Sequence, residues 1–153
     1  EYISHLEDAF ALFTVPVHAQ SMREQWRNPR KIYSVDVGFK TAMDYPLALD
    51  MGRIFENIVF LELRRKAQKI SYLKDKQEVD FYYTIDGQEQ LLNVCYDMES
   101  PATREREING LIGAMKRLSL SESVIVTAEH KETIDTEPGR ITVIPLWEWL
   151  LER

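Results

Sequence analysis

The residues of this 153-residue chain best placed to do chemistry are acids: Glu56, Asp80 and the neighbouring Glu78. A helix carboxylate brought against a strand carboxylate suits a hard cation such as Mg2+ or Mn2+, which takes one or two carboxylates plus waters and substrate phosphates. The plainer alternative is that Glu78 and Asp80 line a solvated sheet face while Glu56 pairs with an arginine. On the residues alone, that alternative carries more weight. Motifs for other chemistries are absent. No G-x-x-x-x-G-K-[ST] occurs, so this chain cannot itself be a P-loop ATPase, and there is no G-x-G-x-x-G, H-E-x-x-H or C-x-x-C. His5, His18 and His130 are too dispersed to form a ligand set and read as surface or capping residues. Cys95 is the single cysteine; it cannot close an internal disulfide, which favours a reducing, cytoplasmic setting, and it reads as a small buried thiol.

The elements that must position these acids are legible from periodicity. Leu49 to Ala67 reads as a long helix with Asp50 near its start. Ile54, Phe55, Ile58, Val59, Phe60, Leu61 and Leu63 cover most of its wheel and leave a narrow polar sector of Arg53, Asn57 and Arg64, the pattern of a helix packed between other elements. Glu56 falls among the apolar positions, and a buried carboxylate needs a partner, a metal or a proton. Glu62 is similarly flanked, so the wheel does not single out Glu56. After a short strand from Ile70 to Leu73, the runs Glu78–Ile85 and Gln88–Met98 flank Asp86-Gly87, a strong two-residue hairpin signal. With Ile85 opposite Gln88, Asp80 lies opposite Asn93 and Glu78 opposite Cys95, all four on one face. Val79, Phe81, Leu92 and Val94 are then expected on the other.

The rest of the chain supplies a frame. Ile3, Leu6, Phe10 and Phe13 suggest an opening helix, and Phe13, Val15 and Val17 an edge strand beside Pro16. Arg23 to Lys31 reads as basic and irregular, with Pro29 against a helix, and Ile32 to Val37 as a second short strand. The polar, proline-containing stretch Thr41 to Leu49 is the expected boundary. Ser100-Pro101 opens a helix with an apolar stripe of Ile108, Leu111, Ile112, Met115 and Leu118. Strands at Ser123–Ala128 and Ile141–Ile144 and a terminal helix from Leu146 to Leu151 complete the order α-β-β-β-α-β-β-α from Leu49 onward, a mixed α/β sheet flanked by helices.

Composition sets the class. With 44% hydrophobic and 29% charged residues, six Gly and six Pro, the chain is neither disordered nor collagen-like. No apolar run reaches the roughly 18 residues of a membrane span, and no signal-peptide pattern is present. The chain opens on Glu1 within a helical pattern, which is expected of a piece of a longer protein. The net charge of −6 hides an asymmetry: Gln20 to Lys76 holds twelve Lys and Arg against seven Asp and Glu, leaving the remainder at −11. That middle third can offer a basic face to nucleic acid, although on charge alone solvated helix and loop faces are the somewhat better account.

Several strings together resemble a known family: YISHLEDAFALFTVPVH, RNPRKIYSVDVGF, GRIFENIVFLELRRK, EVDFYY, LLNVCYDM and TREREINGL. They are similar to the C-terminal part of a group of prokaryotic AAA-type ATPases, in which a P-loop module is followed by a winged-helix region and a restriction-endonuclease-like domain of the PD-(D/E)-x-K type. The resemblance covers nearly the whole chain. It implies a winged-helix remnant over residues 1–47 and an α+β, restriction-endonuclease-like domain over 48–153. ATP would belong only to an upstream module, which would be a partner in the same protein. The family's motif falls on Glu56, Asp80, Asn93 and Cys95, with Mg2+ or Mn2+ implied at Glu56 and Asp80. Asn93 is an amide where the second carboxylate belongs, and Cys95 a thiol where lysine belongs, so the chemistry is reduced. Nuclease activity is therefore expected to be weak or absent. The leading expectation is a degenerate module that engages DNA or a protein, with Arg23, Arg27, Arg30, Lys31, Arg64, Arg65 and Lys66 on phosphates. A protein-binding or homo-oligomerising module is the next reading, and an active metal-dependent nuclease the third; none involves a membrane.

Overall fold

The structure is a computed structural model that describes residues 2–19, 21–38 and 50–151. The expected boundary at Thr41–Leu49, and with it the division near residue 47, lies outside those residues. The chain order is α1 (Tyr2–Asp8), β1 (Leu12–Val15), α2 (Met22–Arg27), β2 (Lys31–Ser34), α3 (Met51–Lys66), β3 (Lys69–Lys74), β4 (Glu78–Ile85), β5 (Gln88–Val94), α4 (Pro101–Leu118), β6 (Glu122–Thr127), β7 (Glu132–Asp135), β8 (Arg140–Pro145) and α5 (Leu146–Leu151). From α3 onward this is the expected mixed α/β order with one strand added. β7 is a four-residue strand with half its side chains exposed, too short for alternation to reveal it.

Six strands form one sheet in the order β3-β4-β5-β6-β8-β7. β5, β6 and β8 run parallel and the other pairings are antiparallel. The parallel β5–β6 step requires a crossover, which α4 supplies. Each sheet face packs its own core. On one side α3 and α5 bury Val59, Phe60, Leu63 and Leu146 against Phe81, Tyr83 and Leu92. On the other, Leu111, Ala114 and Met115 of α4 cover Val79, Leu91, Ile125 and Val143. The α4 stripe is as the sequence spaces it.

The N-terminal elements share the first of these cores. β1 and β2 form an antiparallel ribbon, Leu12 opposite Ser34 and Val15 opposite Lys31. Val15, Val17 and Tyr33 are buried with α3 and the sheet. Val17 bridges Tyr72 of β3, where the Tyr72 amide donates to the Pro16 carbonyl at 3.1 Å and the His18 amide to the Tyr72 carbonyl at 2.7 Å. The segment thus covers the outer edge of β3, which would otherwise expose unpaired backbone. The basic stretch read as irregular contains α2, a short helix started by Ser21, whose hydroxyl accepts from the Glu24 amide. α2 ends at Arg27, two residues before Pro29, so the proline did not preclude a helix before it.

Candidate functional site

The turn at Asp86-Gly87, with φ of 52° and 78°, sets the β4–β5 register as expected: Ile85 faces Gln88 and Phe81 faces Leu92. The shared face does not follow. Between β3 and β4 the pairing slips from Ser71–Tyr82 to Leu73–Val79, so β4 carries one extra residue there. Such a bulge turns the side chains beyond it. Phe81 and Leu92 enter the α3 core, with Val94 packed on it, but Val79 enters the α4 core. The four candidate residues separate in the same way. Asp80 and Glu78 reach a lysine beside α3, while Asn93 donates from Nδ2 to Glu107 of α4 at 2.7 Å and Cys95 is buried in the α4 core.

The centre of the site is Lys31, delivered by β2. Its ammonium lies 2.9 Å from Glu56 Oε1, 2.9 Å from Glu78 Oε1 and 2.7 Å from Asp80 Oδ1. An ammonium has three donors, and three carboxylates take them. Tyr33, two residues along the same strand face, donates its hydroxyl to Glu56 Oε1 at 2.7 Å. Asp80 is held from behind: its Oδ2 accepts from the Val94 amide at 2.9 Å, and its own amide donates to Asn93 Oδ1 at 3.1 Å. Asn57, placed by the helical wheel in a polar sector, is instead buried; it accepts from the Ser34 amide and donates to the Ser34 carbonyl, at 2.8 and 3.0 Å. That pair of bonds locks β2 to α3 and so aims Lys31.

Burial pushes the Asp80 carboxyl up, Lys31 pulls it down and Glu56 pushes it up again, leaving it raised to about 6. For Lys31, burial works against the charge, but Asp80 and Glu56 outweigh it and hold the ammonium protonated well above the usual lysine range. Burial, and then the negative charge of Glu56, raises the Tyr33 phenol. Cys95 is pushed up to about 11, first by burial and then by Glu107, so at neutral pH it is a thiol. Its Sγ donates to the Asp97 carbonyl at 3.1 Å.

A cleft of about 350 Å3 opens over these acids, lined also by Asp50, Arg53, Arg106 and Glu107. A divalent ion there would have to displace Lys31, because the oxygens that would bind it already surround the ammonium. As folded, the donor set fits an internal cation rather than Mg2+ or Mn2+. Among the described residues no group of three or more His, Cys, Asp or Glu is arranged to hold a metal.

The seven basic residues expected on phosphates are dispersed. Lys31 is spent on the acids, with a side chain only 17% exposed. Arg65 and Lys66 pair with Glu62 at 3.2 and 2.9 Å, and the Arg64 guanidinium covers the Phe13 ring at 3.9 Å. Arg30 reaches Thr14 Oγ1 at 3.4 Å. Arg23 and Arg27 are exposed on α2 without an ion pair among the described residues. Sequence reasoning put Lys31 with the wrong company and missed Tyr33, Asn57 and Glu107. The alternation Lys31-Ile32-Tyr33, which puts two polar groups on one strand face, was the available signal.

Fold and site together define a mixed α/β domain whose acidic cluster is neutralised by a lysine from its own N-terminal ribbon. The chain belongs to the family described as "Domain of unknown function (DUF4143)", whose model matches residues 51–149. It is also 31% identical, over 161 aligned positions covering 98% of this chain, to Uncharacterized protein MJ1544 of Methanocaldococcus jannaschii. The chain spans 35% of that relative's length. No described helix is long and apolar enough to cross a membrane.

Proposed function

We propose that this chain is a nuclease-like module without catalytic activity, which engages nucleic acid in the cytoplasm for a longer, ATP-driven protein. The observation that carries the reading is Lys31: its ammonium takes the place between Glu56, Glu78 and Asp80 that a catalytic metal would need. Asn93, the amide at the second carboxylate position, turns its oxygen to the Asp80 backbone and its nitrogen to Glu107, away from the ammonium. The resemblance to the C-terminal part of AAA-type ATPases and the family match support the ATPase context, as does the greater length of the relative. Arg23 and Arg27, exposed on α2 and without an ion pair among the described residues, are left for phosphate contact.

Purified protein with Mg2+ or Mn2+ is expected to leave plasmid and oligonucleotide substrates intact, yet retain labelled DNA at low salt and release it as salt rises. Metal-dependent cleavage that disappears in Asp80→Asn would replace this reading with that of a nuclease. One observation favours that second reading: Lys31 supplies, from another strand, the ammonium that Cys95 cannot. Absence of binding at low salt would instead leave a protein-binding module.

A further inference from the structure

We propose that the outer face of α2 is a stacking site for single-stranded nucleic acid, with Trp26 as the platform and Arg23 and Arg27 as phosphate contacts. The inference rests on the nucleic-acid reading above and names the form of the ligand. α2 is fastened by its opposite side: Gln25 donates from Nε2 to the Val17 carbonyl at 3.3 Å. Immediately beyond it, the Pro29 carbonyl accepts from the Tyr72 hydroxyl at 2.6 Å. What this leaves outward is an indole that is 73% exposed and a Met22 side chain that is 63% exposed.

Residues four apart on a helix lie in one row. Met22 and Trp26 form one row and Arg23 and Arg27 the next, so the Trp26 position neighbours two arginine positions on the helix surface. Glu24, the acid of this helix, makes no ion pair with them among the described residues. Exposed Arg30 stands three residues past the end of the helix and reaches Thr14 Oγ1 at 3.4 Å. Of the seven cations the sequence placed on phosphates, the other four are held by Glu56, Glu78 and Asp80, by Glu62 or by the Phe13 ring. Lys69, Lys74 and Lys76 are exposed as well, so what sets α2 apart is that its exposed arginines neighbour an exposed indole.

The chemistry selects the occupant. Adjacent guanidinium groups call for an anionic backbone, and a flat indole beside them calls for a flat, unpaired ring. A duplex hides its base faces inside the stack, whereas a single strand offers them, and stacking tolerates any base.

The test is fluorescence anisotropy with a labelled thymidine oligonucleotide of about twenty residues and a duplex of the same length, at about 50 mM salt. The single strand is expected to bind more tightly. Trp26→Ala should weaken it by about tenfold while changing duplex affinity less than about twofold, and Trp26→Phe should retain most of the affinity. Arg23→Ala with Arg27→Ala should weaken both ligands and flatten the salt dependence. Thermal melting controls for folding; with Trp26 73% exposed, its loss is expected to leave the melting temperature nearly unchanged. Single-strand binding unchanged in Trp26→Ala, or equal affinity for strand and duplex, overturns the stacking site and leaves the nucleic-acid reading standing. Failure to bind either ligand overturns both.

Discussion

At the residue scale the protein turns on one lysine. Lys31 satisfies three carboxylates that would repel one another without it, and their exposures of 18–48% leave the cluster only partly screened by water. The pH dependence follows from Asp80. Its carboxyl moves from 3.8 to about 6 on folding, so its protonation favours the folded state. The stability it contributes is complete below about pH 4 and is lost as pH rises through about 6. Lys31 works in the other direction on Asp80, lowering its titration. Lys31→Met is therefore expected to move the Asp80 midpoint above 6 in a carboxyl-carbon NMR titration. It should also cost about 3 kcal/mol at pH 8, toward the lower end for a cation removed from a buried pair because these groups are partly solvated. Much of that loss should be regained at pH 5, below the Asp80 midpoint, where that carboxyl is largely neutral. Urea unfolding at the two pH values checks it; an equal loss at both would mean that Lys31 acts by packing alone.

At the element scale, the helices show which capping residues are engaged and which only look so. Asp50 caps α3, its Oδ1 accepting from the Arg53 amide at 3.1 Å. Ser100 stands at the same position of α4, with Pro101 behind it as the sequence suggests, but its hydroxyl makes no capping bond. Asp50→Ala is therefore expected to cost about 1 kcal/mol and Ser100→Ala only a few tenths, measured by urea unfolding. Equal costs would show that the caps act through backbone conformation instead. The β4 bulge is the other decision at this scale. The hairpin turn sets which residues oppose each other, and that was legible in Asp86-Gly87. An extra β4 residue, falling between the Ser71–Tyr82 and Leu73–Val79 pairs and so unmatched on β3, then changes which side chains share a face. No local signal marks it, because Glu78 to Ile85 alternates no better or worse with a bulge in it.

At the scale of the molecule, the N-terminal ribbon is part of the domain's core. Val15, Val17 and Tyr33 are each at most 4% exposed, packed with α3, β3 and β4. Burying such side chains contributes roughly 1.5–3 kcal/mol each, so losing all of them approaches the entire 5–15 kcal/mol stability of an ordinary domain. A chain starting at Asp50, which keeps the whole family-matched segment, is expected to lose cooperative unfolding, with its three acids left without a cation. Near-ultraviolet circular dichroism and urea unfolding test this. A sharp transition of undiminished stability would make the ribbon an appendage.

The sequence by itself determined what depends on neighbours along the chain: the α3 start at Asp50, the hairpin register, the α4 stripe and the alternation of a mixed sheet. It also marked Glu56 and Asp80 as acids in need of a partner. The identity of that partner was decided by tertiary structure. Lys31 lies 25 residues from Glu56 and 49 from Asp80 in sequence, separations that no periodicity spans. Only the docking of β2 against α3, through Asn57 and Tyr33, brings the charge there. The same packing gave most of the basic residues internal partners and left Trp26, Arg23 and Arg27 exposed on α2. Charge and hydrophobicity are written in the chain, but which of them remain available depends on which ones the fold has already paired.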